Sequence, residues 1–189
     1  MAETPSTMLE IGTKLPAFHL VNAVDGAKVD ASALATGKKG LVVLFICNHC
    51  PYVVHIRAEL VRAAHDALDQ GLAVVAINSN DATSHPQDGP KAMATLATSE
   101  RWRFPFLFDA DQDVARAFHA ACTPDLFVFD GNQRLAYRGQ FDDSRPGNGK
   151  AVTGRDLRAA IHAVASGGAP SKDQRPSVGC NIKWRRSAS

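Results

Sequence analysis

The chain has 189 residues, 45% of them hydrophobic and 21% charged, with a formal net charge of +2 at pH 7. That balance suits one globular domain and excludes wholesale disorder. So small a charge gives no field that would hold nucleic acid or an anionic membrane, and the apolar runs fall far short of the ~20 residues that cross a bilayer.

The opening MAETPSTMLEIG carries an acid at Glu3 and no apolar run, so it is read as lacking a secretory signal, and a cytoplasmic location is expected. In that reducing compartment four cysteines argue against a structural disulfide framework; a close pair there is more often catalytic or metal-binding. Residues 16–30 place short apolar pieces around Asp25-Gly26, a hairpin signal. After a turn at 37–40, LVVLFI (41–46) is a continuous apolar run that suits a strand buried on both faces.

The period then changes. Val53, Ile56, Leu60, Ala64 and Leu68 mark one face of a helix ending near Gly71, and LAVVAI (72–77) is a second buried strand. That order implies a parallel pair with a right-handed crossover. Residues 78–90, polar and punctuated by proline and glycine, read as a surface loop. A helix over 91–99, an extended piece over 104–108 and a helix over 113–120 follow. Residues 126–130, a Gly131-Asn132 turn and 134–139 predict a hairpin, and 155–166 a closing amphipathic helix. The whole describes an α/β domain: a central mixed β-sheet flanked by helices, with an N-terminal β-hairpin. The expected domain covers 1–168, with an extended C-terminal tail, 169–189, packed on it. The tail holds the one short basic cluster, Lys183, Arg185 and Arg186.

The chemistry concentrates in CNHC, Cys47 to Cys50, where the first long strand ends and its helix begins. Open α/β sheets commonly act at the carboxyl ends of their strands. A cysteine near a helix N-cap is favoured as thiolate by unpaired N–H groups and the helix dipole. Cys47 is expected to have the lower pKa and to attack, while Cys50, one turn inside and more buried, resolves the mixed disulfide. His49 would add donors beside the thiolate and make the couple more oxidising. Two other readings stand beside this one: a pair of packing cysteines, or a metal site using Cys47, Cys50 and a histidine or Cys180. Covalent haem attachment is excluded, because Pro51 rather than histidine follows the second cysteine.

FICNHCPYVVHI, AINSND, CTPDLFVFD, AYRGQFDDSRPGN and PSVGCNIKW together resemble the redoxin branch of the thioredoxin-like superfamily, the alkyl hydroperoxide reductase/thiol-specific antioxidant group, and within it bacterial peroxiredoxin-like proteins. The resemblance covers most of the chain. It implies a thioredoxin-like fold and a thiol–disulfide oxidoreductase in which Cys47 attacks and Cys50 resolves. It also implies a cis bond at Thr123-Pro124 facing the cysteines, with the Thr123 backbone pairing to the bound thiol partner. Read from the residues alone, that dipeptide is an ordinary trans turn.

The expected partners are protein or small-molecule thiols and disulfides, with a thioredoxin-type reductant as a further candidate. No cofactor and no resident metal are assigned. Two departures bear on activity. Leu44 stands three residues before Cys47, and Cys47 itself three before Cys50, where peroxiredoxins keep threonine or serine. Leu41 stands where thioredoxins keep a buried acid. Thiol-dependent peroxidase and metallochaperone-like protein are the alternatives carried forward. Cys180 and Cys122 are candidate third redox thiols, the first because a tail is an odd place for a packing cysteine and the second because it adjoins Thr123-Pro124.

Overall fold

The computed structural model describes residues 3–185, so Arg186 of the basic cluster and the last residues of the tail lie outside the described residues. In chain order the elements are β1 (Glu3–Pro5), β2 (His19–Asn22), β3 (Lys28–Asp30), α1 (Ala31–Ala35), β4 (Gly40–Phe45), α2 (Pro51–Asp69), β5 (Ala73–Asn78) and α3 (Pro90–Ser99). There follow β6 (Phe106–Phe108), α4 (Asp113–Ala117), β7 (Cys122–Thr123), β8 (Asp125–Asp130), β9 (Leu135–Gly139), α5 (Arg155–Ala165) and β10 (Val178–Asn181).

Seven strands form one mixed sheet in the order β3-β2-β6-β5-β4-β8-β9. β4 runs parallel to β5, and β5 to β6; β8 is antiparallel to β4, and β9 to β8. Every residue of β4 and of β5 is buried, as their unbroken apolar runs require of strands covered on both faces. The two-residue alternation of a strand then divides them. Val42, Leu44, Val74, Ala76, Leu126 and Val128 face the core under α2, α3 and α5. Leu41, Val43, Phe45, Val75, Phe127 and Phe129 face the opposite core, with Phe118 at its centre.

The long helix α2 starts at Pro51, whose fixed φ and missing N–H suit the first helical position. It buries Val53, Ile56, Leu60, Ala64 and Ala67 against the sheet. The hairpin expected over 16–30 is present as β2 and β3, and the one over 126–139 as β8 and β9. The helix expected over 113–120 stops at Ala117, and His119 takes a left-handed backbone conformation (φ 52°). Two expectations need larger correction. The run 78–90 is a surface loop only in part: Thr83, Ser84, Pro86 and Gln87 are exposed, but Asn78, Ser79, Asn80 and Asp88 are buried, and Pro86–Asp88 is a 3-10 turn. The tail also contributes regular structure, since β10 is the middle strand of a second, three-stranded sheet of order β1-β10-β7.

Candidate active site

Strand β4 delivers the chain to the loop 46–50, tied back by Ile46 N–H to the Ile77 carbonyl (3.0 Å). Cys50, not Cys47, is the N-cap of α2, and its carbonyl accepts the Val54 N–H at 2.9 Å. Cys47 lies in the loop before the helix. The reason is Pro51: it has no N–H to donate and is at home as the first helical residue, so the helix begins after the second cysteine rather than the first. Both thiols are buried, each 1% exposed, so the expected difference in burial between them is absent.

Thr123 faces the pair. Cys50 Sγ donates to the Thr123 carbonyl at 3.1 Å, and Cys47 Sγ lies 3.5 Å from Thr123 Oγ1. The Thr123–Pro124 peptide bond is cis. Cys180 stands directly opposite Thr123 in the β7–β10 pairing, and Asn181 opposite Cys122. The edge of Thr123 expected to receive a partner is therefore occupied by the chain's own tail. Gly179 permits that approach, because a Cβ there would stand 2.0 Å from the Thr123 carbonyl oxygen.

The two thiols ionise as a unit. The hydrogen bond with Cys50, burial and the nearby Asp88 carboxylate push the Cys47 thiol well up. The hydrogen bond from Cys47 pulls Cys50 down to about 4, helped by Cys180, Thr123 and the Val53 backbone N–H, against the cost of burial. Each thiol is thus the first cause of the other's shift, so the protons of the pair are shared and belong to neither sulfur alone. Burial and the bond to Cys50 push Cys180 up to about 11. Burial beside Asp125 pushes Cys122 up as well, and its sulfur donates to the Pro124 carbonyl at 3.5 Å.

Asp88 organises the other side of the loop, and nothing in the sequence singles it out. Within HPQDGP it resembles turn punctuation, yet its side chain is fully buried. Its Oδ1 accepts the Asn48 N–H at 2.9 Å, and its Oδ2 accepts Asn80 Nδ2 at 2.8 Å. His49 Nδ1 lies 2.6 Å from the same Oδ2, at ion-pair distance though out of hydrogen-bond alignment. The His49 ring stacks on His85, 5.3 Å between centroids. His49 is thus directed to Asp88 rather than hydrogen-bonded to either sulfur among the described residues. Its expected influence on the pair passes through the Asp88 charge and through loop position.

Cys47, His49 and Asp88 each offer one ligand atom within 4.8 Å of the others, the set that could hold a metal ion. It shares Cys47 and a histidine with the expected set of Cys47, Cys50 and a histidine or Cys180, but has Asp88 in place of Cys50. Each carboxylate oxygen of Asp88 already accepts one protein donor, from Asn48 and from Asn80, which leaves a lone pair on each.

Other histidine, arginine and tryptophan side chains fall outside the site. His65 Nε2 accepts the Arg103 N–H at 3.3 Å, and Arg138 reaches Gln174 at 2.9 Å. Trp102 stacks on Phe104, whereas Trp184 is 40% exposed with the Arg116 guanidinium 5.2 Å over its ring. Within the tail, Ile182 is buried and packs in the core around Phe118.

A mixed sheet flanked by helices, with paired cysteines at the end of the central strand and a cis-proline opposite, defines a thioredoxin-like protein with a thiol site. A family model described as Redoxin matches residues 10–155, and the chain belongs to that family. Membership makes the protein one of redox chemistry in general. The chain is similar over 100% of its length to an uncharacterized conserved protein from Geobacillus kaustophilus, at 46% identity, with 99% of that chain covered and a TM-score of 0.95. A hypothetical protein from Sinorhizobium meliloti 1021 is 47% identical over 97% of this chain and 100% of that one, with a TM-score of 0.94. Peroxidoxin BcpB from Mycobacterium tuberculosis shares the fold at 16% identity, over 84% of this chain and 97% of that one, with a TM-score of 0.61. A search of curated proteins found no match. Among the described residues no helix is long and apolar enough to cross a membrane.

Proposed function

We propose that the protein is a thiol–disulfide oxidoreductase in which Cys47 attacks a substrate disulfide and Cys50 resolves the mixed disulfide. The observation that carries this reading is the placing of two buried thiols at a helix N-terminus, both against Thr123 of the cis Thr123–Pro124 bond. With the proton of the pair on Cys50, Cys47 is the nucleophile. Cys50 suits the resolving role because it is walled by Cys47, Cys180 and the Thr123 carbonyl. Attack by Cys47 on a disulfide RS–SR′ forms Cys47–SR and releases R′S⁻. Cys50 then displaces RS⁻ and closes the Cys47–Cys50 disulfide, so the substrate gains two electrons and the pair loses them.

The test is capture. Cys50→Ser should accumulate covalent mixed disulfides on Cys47 when the purified chain meets a small disulfide, whereas Cys47→Ser should not accumulate them on Cys50. Accumulation on Cys50 alone would reverse the two roles, and accumulation on neither would end the reading.

Two alternatives are separable. A peroxidase would consume hydroperoxide with thioredoxin as reductant; Cys47, where peroxiredoxins keep threonine or serine, weighs against it. A metal-binding protein would carry stoichiometric metal when purified under reducing conditions; the oxidoreductase would not.

A further inference from the structure

A third sulfur stands at the site by construction. Cys180 is 3% exposed and shares one apolar cluster with Cys47 and Cys50. It faces Thr123 across β7–β10, and its thiol is hydrogen-bonded to Cys50. Cys50 touches Cys47 as well, so Cys50 is the middle sulfur of three.

The tail is held on both sides of that position. Before it, β10 pairs with β1, Glu3 opposite Cys180. After it, Ile182 N–H bonds the Ala121 carbonyl (3.1 Å), Lys183 N–H the Asn80 side chain (2.9 Å), and Arg185 N–H the Gln112 side chain (2.8 Å). Asp81 N–H closes the clasp on the Lys183 carbonyl at 2.8 Å. Cys122, by contrast, belongs to neither apolar cluster and is turned to the Pro124 carbonyl.

We propose that Cys180 is a second resolving thiol, which attacks the Cys50 sulfur of the Cys47–Cys50 disulfide. The Cys180–Cys50 bond forms as the Cys50–Cys47 bond breaks, and the electron pair leaves on Cys47 as thiolate. The proton lost by Cys180 ends on Cys47. The step is an exchange within the chain, with no net oxidation or reduction, and needs no outside reagent. It returns Cys47 to the thiol form while the oxidised state is stored in a bond that joins the tail strand to the N-cap of α2. The hydrogen bond and negative charge of Cys50 are two of the causes that hold Cys180 protonated in the reduced site. Both vanish once Cys50 is in a disulfide, which leaves burial as the main cause that opposes ionisation of Cys180.

The inference rests on the exchange reading of the pair, and one experiment separates the two. Full-length wild type, Cys47→Ser and Cys180→Ser are oxidised with graded diamide, quenched in acid, alkylated, digested with trypsin and mapped by mass spectrometry. The cysteines fall on separate peptides: 40–57 carries Cys47 and Cys50, 117–134 carries Cys122, and 173–183 carries Cys180. Cys47→Ser is expected to join peptides 40–57 and 173–183 within one chain in most molecules. Wild type is expected to show both that link and the internal 40–57 disulfide, and Cys180→Ser to lose the link entirely. An internal disulfide in wild type with no link to 173–183 at any diamide ratio, in either wild type or Cys47→Ser, overturns the role of Cys180 and leaves the pair standing. Absence of the internal disulfide from both wild type and Cys180→Ser overturns the pair itself. Because wild type carries the decisive comparison, a folding defect in a variant does not blur the outcome.

Discussion

Gly179→Ala isolates what docks the tail on the site. The residue does not need a left-handed backbone, so the change tests approach alone. An alanine Cβ would lie 2.0 Å from the Thr123 oxygen, 2.7 Å from its carbonyl carbon and 3.1 Å from Pro124 Cδ. An ordinary carbon–oxygen contact is about 3.3 Å, so β10 must retreat by roughly 1.3 Å. The obstacle is backbone, which cannot swing aside. Overpacking of this kind costs about 1–3 kcal/mol. Stretching the ladder at the Cys180–Thr123 and Asn181–Cys122 pairs adds about 0.5–1.5 kcal/mol for each hydrogen bond lost.

With one such bond lost, a total of roughly 2–4 kcal/mol predicts a fall in Tm of about 4–16 °C in a chain of this size. If the strand detaches locally instead, the same free energy appears as exposure of Cys180. Its alkylation by N-ethylmaleimide, followed by mass spectrometry, should then quicken roughly 30- to several-hundred-fold. Gly168→Ala is the control: that residue is exposed, and its nearest neighbour would be 3.4 Å away, an ordinary contact. A Gly179→Ala protein with the wild-type Tm and wild-type protection of Cys180 would refute the reasoning.

Asp88→Asn keeps the shape of the side chain but turns one buried acceptor toward a donor. It should cost about 1–3 kcal/mol, seen as a lower Tm. Because the Asp88 charge helps hold Cys47 protonated, the variant should also move the pH midpoint of Cys47 alkylation downward; an unmoved midpoint counts against that coupling. Asp125 predicts a pH effect of opposite sign to the usual carboxylate. Burial raises its carboxyl to about 7, and its Oδ1 has no hydrogen-bond partner. Below about pH 4 both folded and unfolded chains hold the proton, and the group costs nothing. As pH rises toward 7 the unfolded chain releases its proton first, and stability is lost by up to the order of 4 kcal/mol. The stability of Asp125→Asn relative to wild type should therefore climb between pH 4 and pH 8 in urea titrations, and a flat difference would show that the carboxyl is not desolvated.

Asp125 also illustrates why strand register matters to the chemistry. It pairs with Phe45 across β4–β8, and Phe45 faces the core opposite the thiols. Its shifted carboxyl is thus on the wrong side of the sheet to serve Cys50, even though it follows the cis-proline directly. Proton traffic at the pair stays among Cys47, Cys50 and the groups that touch them.

Much of the architecture is legible in local pattern. LVVLFI and LAVVAI declare fully buried strands because an unbroken apolar run has only one stable setting in a sheet, and the spacing from Val53 to Leu68 declares the face of α2. CNHC at the strand–helix junction marks the thiols because that junction is where unpaired N–H groups collect. Local pattern could not say which cysteine caps the helix. That followed from how Pro51 sits in the first turn. Nor could it reveal Asp88, whose neighbours in sequence are turn residues and whose partners Asn48, His49 and Asn80 come from elsewhere in the chain. Cys180 stood out in the sequence as a candidate redox thiol, but local pattern did not give its seat. That seat depends on a strand pairing between residues 57 positions apart, permitted by a missing Cβ at Gly179. Periodicity records only a residue's near neighbours, while a sulfur's reactivity depends on every group that folding brings to it.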